Sequence, residues 1–143
     1  MQLRKLITGL VLASTFSLTA HAEERPASLK AMTEKDVSVF CTIALQEKAQ
    51  EVFHSTAGSK TMRDDFAAML VVFREVWLRA GTAQGVTSAE LAQAKTKMAA
   101  QEVSKEQGMF CGKEAATRYT ALTEKQKNEV RDGALRYVDK LGR

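Results

Sequence analysis

Thr61-Met-Arg-Asp-Asp-Phe66-Ala-Ala-Met-Leu-Val-Val-Phe73-Arg-Glu-Val-Trp77-Leu-Arg-Ala-Gly81 carries the choice between a helical and a sheet-containing fold. Its centre, Phe66 to Phe73, is an unbroken apolar run. A run that short also suits a buried β-strand, and its own periodicity does not separate the two. The flanks do. Met62, Phe66, Met69, Phe73 and Trp77 recur in steps of three and four, the spacing of one face of an α-helix. Glu75 and Arg79 stand at i and i+4, a favourable pairing on a helix. Asp64 and Asp65 fall in the first turn, where carboxylates meet the positive end of the helix dipole. Neighbours on a helix point about 100° apart, so these two acids do not converge on a metal or on one reacting atom. The stretch reads as the central, most buried helix of an all-α protein, starting near Thr61 and stopped by Gly81.

Working outward, nothing interrupts the helical pattern. Pro26 is the single proline. Thr33, with Asp36 three residues on, is a variant capping box. It opens a helix carrying Val37, Phe40, Cys41, Ala44 and Val52 and fading near Ser55. Ser55 to Ser59 reads as a loop, as does Gly81 to Val86. Thr87 and Glu90 form a capping box for a third helix whose apolar stripe, Leu91, Ala94 and Met98, is thin enough to place it on the outside. Gly108 and Gly112 bracket Cys111 and are read as the break before a short fourth helix, Lys113 to Ala121. Thr123 and Gln126 cap a last helix with Val130, Ala134, Tyr137, Val138 and Leu141 on one face. The expected architecture is an antiparallel bundle of four to five helices with one disulfide. It occupies residues 33–143 as a single domain, preceded by a flexible segment, 23–32.

Residues 1–22 have the three-part order of a signal peptide: Arg4 and Lys5, an uncharged apolar run from Leu6 to Leu18, and Ala20-His21-Ala22 as a small-x-small cleavage site. The apolar run is shorter than the roughly 20 residues a membrane span needs, and no later segment is long and apolar enough to replace it. Export places Cys41 and Cys111 in an oxidising compartment, where two cysteines pair most simply with each other. With no Cys-x-x-Cys, the bridge reads as structural and not as a redox centre.

Charge and motifs narrow the function by elimination. Losing Arg4 and Lys5 takes the 21 basic residues to 19, against 17 acidic. The basic residues alternate with acids and form no stripe of the kind nucleic-acid binding requires. His54 is the one histidine left after cleavage, and it reads as a polar group at a helix C-terminus. No zinc spacing, His-Glu-x-x-His, Gly-x-Ser-x-Gly or glycine-rich phosphate loop occurs. Met32, Met62, Met69, Met98 and Met109 are scattered and read as core filling and not as haem or copper ligands. The expectation is therefore no catalytic residue, no metal and no cofactor. What remains is surface. Trp77, Arg118 and Tyr119 belong to the residue types that anchor protein interfaces and are taken as the partner surface. The expected role is a periplasmic or secreted protein-interaction module, such as an inhibitor or immunity protein or an envelope stress factor. Its partner would be another envelope or secreted protein. The alternative is a small-molecule or cofactor carrier with a pocket inside the bundle. The export reading predicts a mature N-terminus at Glu23; intact mass of the native protein checks it, and a product retaining Met1 counts against it.

Overall fold

The computed structural model describes residues 25–142; the signal-peptide reading and the Glu23 terminus lie outside them. The described residues fall into two units divided after Ala31. In the first, α1 (Ala27–Lys30) is a single turn following Pro26, within the segment read as flexible. The second, from Met32, holds α2 (Glu34–His54), α3 (Lys60–Ala83), α4 (Ser88–Met98), α5 (Lys105–Ala121) and α6 (Glu124–Leu141). No strand occurs among the described residues.

The starts of these five helices follow from local chemistry. Thr33, Ser59, Thr87, Ser104 and Thr123 each accept, through the side-chain oxygen, the backbone N–H three residues on. At Thr87, Ser104 and Thr123 the cap is reciprocal, with Glu90, Gln107 and Gln126 accepting the capping residue's own N–H. Each such cap stabilises its helix by about 1 kcal/mol.

Two glycine readings are corrected. The chain breaks at 99–104 and not beside Cys111: Ser104 and Gln107 start α5 well before Gly108, and both Gly108 and Gly112 lie inside it. An interior glycine costs a helix about 1 kcal/mol, which burial of Cys111 and Ala115 on the same helix outweighs. Nor does Gly81 end α3, which runs to Ala83. Gly85, at φ 81°, makes the turn that an L side chain resists. Gly81 instead admits Val86, whose Cγ2 lies 3.2 Å from the position a Cβ would take.

Direction can be read from pairs of residues. Ser38 lies against Gly81 and Gln46 bonds Arg74, so α2 and α3 are antiparallel. Cys41 joins Cys111 and Glu34 pairs with Arg118, so α5 is antiparallel to α2. Arg79 pairs with Glu129 and Glu75 lies against Gly133, so α6 is antiparallel to α3. The hairpin of α2 and α3 thus takes α5 on one side and α6 on the other. Helix α4 has no buried residue and is tied to α2 by Lys35–Glu90 (2.7 Å) and Glu47–Lys95 (3.7 Å).

The most enclosed helix is α2, not α3. It buries nine residues, Ser38, Thr42 and Gln46 among them, where α3 buries six. Helices α3, α4 and α5 all pack on α2, whereas one end of α3 stays open. The buried hydroxyls are satisfied within the helix: Ser38 donates to the Glu34 carbonyl (2.8 Å) and Thr42 to that of Ser38 (2.7 Å).

Cys41 and Cys111 are bonded, fully buried, and 70 residues apart. Closing a loop of that length contributes roughly 4 kcal/mol through the unfolded chain's entropy. Replacing both cysteines by Ala is expected to lower the unfolding free energy by roughly 2–4 kcal/mol while the helical circular-dichroism signal persists in the cold. Two free thiols in the denatured native protein would contradict the bridge.

Candidate functional site

Of the three residues taken from sequence as a partner surface, Trp77 lies in the core, and Arg118 and Tyr119 are half-buried. Trp77 is fully buried. It lies on the part of α3 wedged between α2 and α5, where its indole N–H donates to the Cys111 carbonyl (2.9 Å) and its ring meets Phe110 at 6.3 Å. The Arg118 guanidinium covers the outer face of the indole at 4.2 Å. It also bonds Glu34 and, at 3.1 Å, Glu114. Arg118 is thus a lid on the core, held by two carboxylates. Tyr119, one residue on, points about 100° away. It packs against the core half-buried, with Lys127 and Arg131 5.7 and 5.8 Å from its ring centre.

The exposed apolar surface lies elsewhere. Met62, Phe66 and Met69 are 70, 44 and 41% exposed and share one face of α3. The spacing that marked them as core is real, and the same row passes through half-buried Phe73 to buried Trp77. What fails is the cover. Phe110 sits beside Trp77, and α5 runs in the same direction as α3 because both oppose α2. Its first residue, Lys105, therefore reaches only about 8 Å past Phe110 at 1.5 Å per residue. Phe66 is eleven positions before Trp77, about 16 Å along α3, beyond where α5 begins. Met109 (48%) and Leu135 (68%) are also exposed. Three of the five methionines read as core filling are therefore surface groups.

A second cluster joins α2, α3 and α6. Arg74 donates through Nε to Gln46 Oε1 (3.0 Å) and through Nη1 to Glu75 Oε1 (2.6 Å). Its guanidinium stacks 4.1 Å from the centre of the Tyr137 ring. Gln50 donates to the Tyr137 hydroxyl at 3.4 Å. A Cβ on Gly133 would stand 2.7 Å from Glu75 Oε2, so the glycine is what lets the carboxyl lie against α6. Burial raises the Glu75 pKa above the usual carboxylate range; Arg74 and Arg136 oppose that rise. Burial likewise raises Tyr137. Beside this cluster an open groove of about 450 Å³ runs between α3 and α6, lined by Glu75, Leu78, Arg79, Thr82, Glu129 and Val130. The expected Glu75–Arg79 pair does not form, since Arg74 takes the Glu75 carboxyl and Arg79 reaches Glu129.

His54 is exposed at the end of α2, with the Phe53 ring edge-on at 5.3 Å. Among the described residues no three His, Cys, Asp or Glu side chains gather as metal ligands would. Comparison with protein-family models, with curated proteins and with solved structures finds no match to the chain.

The raised pKa of Glu75 has a consequence for stability. Its native carboxyl keeps a proton that the unfolded chain releases, so the stability it confers is complete below the usual carboxylate range and is lost as pH rises through its own higher value. Urea unfolding across that window is expected to show wild type losing stability with rising pH relative to Glu75→Gln. Equal slopes for the two proteins would refute the linkage.

Proposed function

We propose that this protein is an exported, non-catalytic module that acts by binding another protein outside the cytoplasm, through the outer face of α3. The observation behind this reading is the row Met62, Phe66 and Met69, left in solvent at the end of an otherwise buried stripe. Leaving an aromatic and two long apolar side chains side by side and partly in water forgoes a share of the roughly 1.5–3 kcal/mol that full burial of each returns. Adjacent exposed groups of this kind mark interaction sites more often than isolated ones do. Methionine adds adaptability, since its unbranched, polarizable chain repacks against differently shaped partners.

Export is supported by the charged, apolar, Ala-x-Ala order of residues 1–22 and by the buried disulfide, which persists where the surroundings are oxidising. We place the protein in the periplasm or among secreted proteins. No helix among the described residues is long and apolar enough to cross a membrane. An inhibitor or immunity protein, or an envelope stress factor, works by contact alone and needs only such a face. The carrier alternative calls for an enclosed apolar pocket. The groove beside α6 is open and bears Glu75, Arg79 and Glu129, a lining poorly suited to an apolar cargo.

Phe66→Ser tests the reading. The side chain is already 44% exposed, so folding should be largely preserved. Capture of a defined envelope protein is expected to weaken by at least about 2 kcal/mol, roughly thirtyfold. Leu135→Ser, at an exposed position of α6, is the control and should leave capture unchanged. Equal capture by both variants would remove α3 as the docking face, and stoichiometric haem, metal or lipid in the purified protein would favour the carrier.

A further inference from the structure

The sulfur groups divide sharply by access. Both cysteines are bonded to each other and fully buried, and no free cysteine occurs among the described residues. An oxidant arriving from solvent therefore meets thioethers and no thiol. Met62, Met69 and Met109 are exposed, the first two on either side of Phe66, whereas Met32 and Met98 are partly covered. We propose that Met62 and Met69 are oxidation sites, and that their conversion to sulfoxides by a peroxide switches the outer face of α3 from apolar to polar.

The chemistry is a two-electron oxygen transfer. A lone pair on Sδ attacks one oxygen of hydrogen peroxide, the O–O bond breaks as the S–O bond forms, and the displaced hydroxide takes up the remaining proton and leaves as water. Sulfur is oxidised by two electrons and the peroxide is reduced by two. The product is a polar, chiral group in place of a flexible apolar one. Because Met62 and Met69 precede and follow Phe66 by one turn each on the same face, two such groups interrupt the row on both sides of its aromatic centre. The damage is reversible by methionine sulfoxide reductases, one for each sulfur epimer, so the face can be restored without new synthesis. The change in polarity stands on the exposures alone; its effect on a partner rests on the docking role proposed above.

The experiment treats the folded, full-length mature protein with hydrogen peroxide and follows each methionine by peptide mass mapping. Met62 and Met69 are expected to oxidise well before Met32 and Met98; oxidation of Met32 or Met98 at the rate of Met62 would overturn the proposal. Retention of the native protein on a hydrophobic-interaction column is expected to drop after treatment. The variant Met62→Leu/Met69→Leu, which keeps the row apolar and leaves Met109 to oxidise, should hold its retention. Loss of retention in that variant too, or none in the wild type once both sulfurs are oxidised, would also overturn it. Capture of the partner should fall for oxidised wild type and not for the oxidised variant. If the oxidation order and the retention change hold while Phe66→Ser leaves capture intact, the switch in polarity stands and the docking role fails.

Discussion

The hydrogen bond from the Trp77 indole to the Cys111 carbonyl, made beside the Cys41–Cys111 bridge, is the point where α2, α3 and α5 are held at once. A buried indole N–H without a partner would cost about 1–3 kcal/mol, so the ring can enter the core only where an acceptor waits. That acceptor sits on the half-cystine itself, which couples the position of α5 to both other helices. Arg118 closes the assembly from outside, lying flat on the indole while Glu34 and Glu114 hold it. The guanidinium keeps water off the tryptophan while remaining partly exposed itself.

On the far side of the hairpin a different kind of contact sets α6. That helix buries Val130, Ala134 and Leu141, with Tyr137 and Val138 half-buried against the core beside them. Arg74, Glu75, Gln46 and Tyr137 supply the directional bonds, and Gly133 supplies the clearance. Polar groups of this sort add little net stability, because desolvation offsets much of the attraction. Their geometry is exacting, however, and a helix rotated by one position would leave Glu75 facing a Cβ and Arg74 without its tyrosine.

Much of this was legible before any coordinate. The caps at Thr33, Thr87 and Thr123 are local chemistry and can be read residue by residue, and two cysteines leave one pairing. What could not be read depends on distant chain. The periodicity that places Phe66 and Trp77 on one face does not say how far the neighbouring helix extends, and the late start of α5 decides which of them is wet. Gly81 looked like a stop because glycine ends many helices; its role is set by Val86, brought against it by the turn at Gly85. Ser104 and Gln107 were the missed signal. They carry the same capping pattern as Thr123 and Gln126, and the glycines near Cys111 drew the boundary away from them. Trp77 was misplaced for a related reason: its environment is made by α5, 34 positions along the chain.

The bridge also decides what breakage means for this molecule. Helix α4 buries nothing, is moored by exposed ion pairs, and lies wholly inside the loop that the bridge closes. A protease working at the surface would find its first foothold there or in the connections beside it. Such a cut severs the backbone yet frees neither half: one fragment keeps α2 and α3, the other α5 and α6, and the sulfur–sulfur bond joins them with the core contacts intact. The row Met62, Phe66 and Met69, at the end of α3 away from its connection to α4, stays on the fragment that keeps α2 and α3, so a nicked protein would go on presenting it.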